Sequence, residues 1–141
     1  MVLLLISHGG LIIKLSTDGV VEWAKVINSG KVNEISETID GNYIIGWYVG
    51  LKTVDLGDGI IVTNSVSGFG IVAEYSIEGK AQWAKTFGTT SYTYIRTVCA
   101  TSDGGFIAGG TFSRKEYNFR KWNNVYKCYN LDIRKRWYIY S

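Results

Sequence analysis

"GLIIKLSTDGVVEWAKVI" (Gly10–Ile27) lies over "GIVAEYSIEGKAQWAKTF" (Gly70–Phe87) without a gap, at an offset of 60 residues. Gly10/Gly70, Ser16/Ser76, Gly19/Gly79, Trp23/Trp83, Ala24/Ala84 and Lys25/Lys85 are identical pairs. A second block, "ETIDGNYIIGW" (Glu37–Trp47), lies over "ATSDGGFIAGG" (Ala100–Gly110) at an offset of 63, the three extra residues falling in the loop "GTTSYTY". Two matched blocks in the same order mark an internal repeat, and a repeat must be recognised before any other reading of the chain.

Each block reads as a β-hairpin. "LIIKLS" and "VVEWAKVI" are short, apolar and β-branched, with Asp18-Gly19 between them. Asp40-Gly41 separates "VNEISETI" from "NYIIGWYV", and Asp103-Gly104-Gly105 separates "IRTVCATS" from "GFIAGGTF". Asp-Gly between such runs is a strong short-range hairpin signal, because Gly accepts positive φ. The chain contains no Pro, in keeping with ladders that need every N–H. The spacing predicts strands over 32–39, 42–49, 70–75 and 80–87, with "GLKTVDLGDGIIVTNSVSG" inserted as an edge hairpin or long loop. No substantial helix is expected before residue 113. The expected class is all-β, built from antiparallel four-stranded β-propeller-like blades.

"WAKTFG" followed by "SDGGFIAGG" resembles the bacterial β-propeller-type repeats that occur in tandem in secreted and cell-surface proteins. Over residues 9–112 the resemblance implies a partial propeller: a half unit at 10–27, a full unit at 32–87 and a half unit at 93–112. A propeller needs roughly 4–8 blades to close, so the expectation is a fragment of a larger surface or secreted protein. "DGVVEWAK" is also similar, more weakly, to the Trp-bearing turn of quinoprotein propellers. That makes a fragment of a quinoprotein-like enzyme the alternative reading, its cofactor site supplied by other blades.

The remainder, 113–141, is unlike what precedes it. Residues 1–113 carry seven Lys/Arg against ten Asp/Glu, whereas residues 114–141 carry eight against two, with eight aromatic rings and no Gly. In the protein frame Glu116–Asn130 shares a single identity, Val125 over Val62, with Thr53–Ser67. Read one nucleotide later, codons for the same stretch allow "ILGNGITFTNAIT" against "DLGDGIIVTNSVS", with Trp122 forced to Gly. The tail is therefore read as a frameshifted third repeat, irregular or adventitiously structured as protein. Its rivals are a basic aromatic groove for single-stranded nucleic acid and an amphipathic helix bearing Trp122, Tyr126, Tyr129, Ile133 and Trp137. No RNA-binding fold surrounds the tail, so nucleic acid is not the expected partner.

Overall composition, 46% hydrophobic and 19% charged, suits a globular domain. "MVLLLISHGG" lacks the basic start and apolar length of a signal peptide, and no run approaches the about 20 residues of a membrane helix. Extracellular or cell-surface placement follows from the family resemblance alone. Cys99 and Cys128 match no zinc spacing, and Cys99, inside an apolar strand, is expected to be buried and inert.

No catalytic constellation is legible, so a non-catalytic binding or scaffolding module without a cofactor is expected. Trp23 and Trp83, at equivalent positions, are expected to anchor the packing of the blades, together with Gly19, Gly79, Asp40, Gly41, Asp103 and Gly104. Trp47 has Gly110 as its counterpart and is the ring expected to be available for stacking on a ligand. Asp55 and Asp58 in "DLGDG" are weak candidates for a cation, with turn chemistry the simpler role. His8, the only histidine, has no placed partner for catalysis. Glu34 and Glu37 fall on opposite faces of a strand. "GDGIIV" and "GFGIVAEY" lack the following helix of a phosphate loop. The expected partners are an unknown ligand or protein and either neighbouring blades or a second copy, since open blade faces and edges favour self-association.

Overall fold

The computed structural model describes residues 9–65, 67–88 and 92–113 with their side chains, and the backbone of strands 117–122, 125–129 and 137–140. Every regular element among them is a strand, and every pairing is antiparallel. Strands β1 (Gly10–Leu15) and β2 (Val21–Ile27) form a two-stranded sheet. β3 (Lys31–Glu37), β4 (Tyr43–Val49), β7 (Phe69–Tyr75) and β8 (Ala81–Phe87) form a four-stranded sheet in the order β3-β4-β7-β8. The insertion is a short hairpin, β5 (Thr53–Asp55) and β6 (Ile61–Thr63). β9 (Thr93–Ala100) and β10 (Phe106–Phe112) pair next. The four-stranded antiparallel unit thus has the strands expected of it, and the described strands do not close into a ring.

Beyond residue 113, β11 (Tyr117–Trp122) pairs with β12 (Val125–Tyr129), and β13 (Trp137–Tyr140) pairs with β10. β13 lies on β10 at the edge that β7 occupies on β4.

Four hairpin turns share one hydrogen-bonding scheme. Ser16 N–H donates to the Val20 carbonyl at 2.8 Å and Gly19 N–H to the Ser16 carbonyl at 3.0 Å. The same pair of bonds closes Thr38–Asn42, Ser76–Lys80 and Thr101–Gly105. The last residue of each three-residue loop is a glycine at positive φ: 77° at Gly19, 80° at Gly41, 79° at Gly79 and 85° at Gly104. A residue in this left-handed region lets a three-residue loop match the twist of the strands, and only Gly enters it without steric cost.

The repeat also extends to irregularities that composition does not show. The β1–β2 ladder skips Glu22 between Lys14–Trp23 and Leu15–Val21, and β7–β8 skips Gln82 between Glu74–Trp83 and Tyr75–Ala81. β3 bulges at Asn33, between Val32–Trp47 and Glu34–Gly46; β9 bulges at Arg96, between Ile95–Gly110 and Thr97–Gly109. Each bulge re-aims the side chains that follow it. This accounts for Cys99, which is exposed rather than buried. Ile95 before the bulge and Val98 after it both face inward, and Cys99 is turned out.

The central strands β4 and β7 are covered on both faces. One face carries Ile45, Trp47, Val49, Phe69, Ile71, Ala73 and Tyr75, packed with Ile12 and Ile27 of the β1–β2 sheet and Val54 and Leu56 of the insertion. The other carries Ile44 and Val72, packed with Ile95, Val98, Phe106 and Ala108 of β9–β10. Three layers of sheet therefore stack face to face, and burial of these apolar surfaces supplies the main stabilisation.

Candidate functional site

The side chains between layers repeat as faithfully as the turns do. Trp23 lies against Tyr43, ring centroids 5.9 Å apart, and Trp83 lies against Phe106 at 5.7 Å. Tyr43 and Phe106 are counterparts at the 63-residue offset. The Trp23 indole also roofs the next turn. Its Nε1–H donates to the Ile77 carbonyl at 2.8 Å, and a Cβ on Gly79 would come within 2.6 Å of its ring. Trp83 instead donates from Nε1 to the Glu74 carboxylate, with Lys85 Nζ 5.5 Å from its ring centroid. A glycine slot recurs as well. Val32 sits over Gly10, where an added Cβ would be 3.0 Å from its Cγ2, and Ile95 sits over Gly70, where the distance would be 2.8 Å to Cγ1.

Trp47 does not serve as an available stacking surface. It is 1% exposed and belongs to the core, and its indole Nε1 is buried without a hydrogen-bond partner among the described residues. Sequence reasoning treated a ring outside the repeat as a surface ring; here the same face also carries the insertion, and the ring fills the space beneath it.

Asp55 and Asp58 are engaged in turn and clasp geometry. Asp55 Oδ1 accepts from Gly57 N–H at 2.8 Å. Asp58, at φ 55°, accepts at Oδ2 from Lys25 Nζ at 2.8 Å and from Ala81 N–H at 2.9 Å. One carboxylate thus ties the inserted hairpin to β2 and β8. Among the described residues no group of three or more His, Cys, Asp or Glu is placed to hold a metal ion, and no helix is long and apolar enough to cross a membrane. His8 lies outside the described residues.

The Lys25 ammonium, and then the Ala81 N–H, hold the Asp58 carboxyl below its ordinary value of 3.8. A carboxyl depressed on folding binds its proton less tightly folded than unfolded. Its stabilising contribution is therefore complete above the unfolded value and is lost as pH falls through the folded one. Asp103 and Glu78 are shifted the same way by hydrogen bonds from Thr101 and Ser76, so the clasp is isolated by difference. Asp58→Asn is expected to lose about 1 kcal/mol at neutral pH. The gap to wild type should narrow as pH drops below about 4. Thermal melts of both proteins from neutral to acid pH measure this, and a gap independent of pH would contradict it.

The arrangement that the repeat does not explain lies at the opposite rim from the glycine turns. Tyr48, near the end of β4, stacks on Tyr94 of β9 with centroids 4.2 Å apart and planes 18° apart. The Arg96 guanidinium lies 5.0 Å from the Tyr94 ring centroid. Tyr92 is 53% exposed and lies over Gly68, where an added Cβ would come within 2.2 Å of its Cδ1 and 3.1 Å of the Tyr48 hydroxyl. Thr93 N–H donates to the Gly68 carbonyl at 3.0 Å and Ser113 N–H to the Tyr92 carbonyl at 3.1 Å, so the backbone beneath the rings is pinned on both sides. Burial, and then the hydrogen bond with Tyr94, push the Tyr48 phenol up to about 12, so that phenol is neutral across the physiological range.

The repeat counterparts of Tyr48, Tyr92, Tyr94 and Arg96 are Thr111, Ser29, Lys31 and Asn33. Three aromatic rings and a guanidinium gathered where β4 meets β9, with no ring or guanidinium at their counterpart positions, do not arise from repeat packing. Such a platform offers ring faces and a cation to a ligand that carries rings or apolar faces of its own. Sequence reasoning passed over these residues, although Tyr92 and Tyr94 lie in the very loop whose three extra residues break the repeat offset.

No protein-family model matches the chain, and no curated protein matches it.

Proposed function

We propose that the chain is a non-catalytic binding and scaffolding module of a larger secreted or surface repeat protein of the β-propeller type. The observation that carries this reading is the reuse of one inter-sheet interface. Trp23–Tyr43 with Gly10–Val32, and Trp83–Phe106 with Gly70–Ile95, make the same contacts at successive steps. The side chains that recur are those that pack sheet on sheet, as a stacked repeat requires. Specific recognition falls to the residues that do not recur, Tyr48, Tyr92, Tyr94 and Arg96, supported on a rigid sheet end.

The test is a binding screen of soluble glycans and of aromatic and proline-containing peptides, read by intrinsic fluorescence. For any ligand found, Tyr92→Ala and Arg96→Ala are each expected to weaken binding about tenfold or more, as for truncation of exposed anchor residues, with melting behaviour unchanged. Binding that survives both substitutions would remove the rim as the site.

A further inference from the structure

Among the described residues the β1–β2 sheet is without the two neighbouring strands that its counterpart has. β1 is the equivalent of β7 by position in the repeat, yet among the described residues it pairs only with β2, whereas β7 pairs with both β4 and β8. Leu11, Ile13, Leu15 and Val21 are 56%, 43%, 53% and 56% exposed; their counterparts Ile71, Ala73, Tyr75 and Ala81 are 0%, 0%, 0% and 7% exposed. Ile35 is 43% exposed against 4% for its counterpart Val98. A Cβ on Gly19 would meet nothing within 4 Å, whereas the equivalent turn at Gly79 is roofed by Trp23. All four differences mark the same vacancy: first and second strands beside β1, and an indole over the Gly19 turn.

The opposite end of the molecule holds what would fill it. β9 and β10 are the first and second strands of their unit, equivalent to β3 and β4. Among the described residues no glycine turn is roofed by Trp83, the equivalent of Trp23. β13 occupies the edge of β10 with four residue pairs, Ile107 to Gly110, where β7 makes seven with β4. We propose that β9–β10 of one copy takes β1–β2 of a second copy, forming a four-stranded sheet β9-β10-β1-β2 shared between two chains, with β13 yielding its place to β1.

The register follows from the β4–β7 ladder. Ile107 faces Lys14 of the second copy, Gly109 faces Ile12 and Gly110 faces Leu11, so all six residues of β1 find partners. In this arrangement Leu11, Ile13 and Leu15 descend on the β8 face that carries Trp83 and Phe87, both half-buried in the single chain. Trp83 reaches the Gly19 turn as Trp23 reaches Gly79. Ile107 and Gly109 come over Ile35. The contact is heterologous, head to tail, so it either closes as a small ring or continues. It is the edge-strand pairing that an unprotected β1 invites. The proposal rests on the reading of the chain as a stacking scaffold.

The experiment uses the full chain with Cys99→Ser and Cys128→Ser. Ile107→Cys and Lys14→Cys are introduced in separate preparations, mixed, and oxidised. The expected result is a disulfide-linked heterodimer from the mixture, absent from either variant alone. Light scattering of the cysteine-free chain should show concentration-dependent association, weakened about tenfold or more by Ile13→Glu, which brings an unpaired carboxylate into the contact. A monomer at every concentration with no cross-link overturns the proposal, as does a homodimer from Lys14→Cys alone, which would place β1 against β1. Ligand binding at the tyrosine rim is measured on the same preparations. Its retention without a cross-link sinks the assembly alone, and its loss with the cross-link intact sinks the binding reading alone.

Discussion

Trp47→Ala is expected to destabilise the chain by about 3–5 kcal/mol, the range for removing a fully buried tryptophan. The ring is 1% exposed in the cluster that unites β4, β7, β1–β2 and the inserted hairpin, so no neighbour can collapse into the space without moving a sheet. Trp47→Phe should behave differently. It leaves a smaller cavity and also removes a buried donor that has no partner among the described residues, and such a donor costs about 1–3 kcal/mol. We expect a net loss of only about 1–2 kcal/mol, the two effects partly offsetting. Denaturant unfolding followed by circular dichroism distinguishes the cases. A Trp47→Ala loss below about 1 kcal/mol would place the ring at the surface.

Gly46→Val is expected to cost about 3 kcal/mol or more, at the upper end for overpacking a tight interface. An added Cβ alone would lie 2.7 Å from Ile95 Cγ2 and 2.7 Å from Val98 Cγ1, both core side chains of the facing β9–β10 layer. These are branched groups within a packed cluster, not the far ends of flexible chains, so the layers must separate. Gly19→Ala, measured at concentrations where the chain is monomeric, serves as the control: an added methyl there meets nothing within the single chain, and the strain of its left-handed φ costs only about 1 kcal/mol. The mechanism has its own signature. Ile95→Ala removes one of the two close contacts, leaving that residue's own Cβ at 3.7 Å from the position of the new carbon while Val98 Cγ1 stays at 2.7 Å. The double substitution should therefore cost less than the two singles together, by about 1 kcal/mol or more. Strict additivity would show that Gly46 is not held small by Ile95.

Much of this fold is legible before any coordinates are consulted. The four Asp-Gly, Glu-Gly and Gly-Gly turns are visible because a three-residue loop of this kind leaves few choices but Gly at its last position. The hairpins follow from those turns. Side-chain direction is less legible, because alternation is interrupted by single-residue bulges. Nothing in "TYIRTVCA" shows that Arg96 is skipped, so Cys99 looked inward when it points out. Trp47 failed for another reason. Non-recurrence in the repeat identifies a residue with a local task, but that task is to fill the space that the insertion encloses. The same criterion leads to Tyr48, Tyr92, Tyr94 and Arg96, whose meeting depends on two elements 44 residues apart in sequence at their inner ends, Tyr48 and Tyr92. No local pattern brings them together.

The paired bulges and matched turns have a consequence for how such a protein changes length. The ladder skips one residue at Glu22 and again at Gln82, and at Asn33 and again at Arg96, with different side chains at each pair. The phase of the backbone is therefore inherited independently of the residues that occupy it. Unequal recombination between any two equivalent points would remove or add one whole period and rejoin the strands with every bulge, glycine turn and inter-sheet slot still in step. An insertion of a single residue within a strand would instead invert the faces of everything beyond it. Tandem duplication and loss are thus the mutational steps this architecture absorbs most readily, and the three-residue difference between the end of β8 at Phe87 and the start of β9 at Thr93 is of the kind it tolerates.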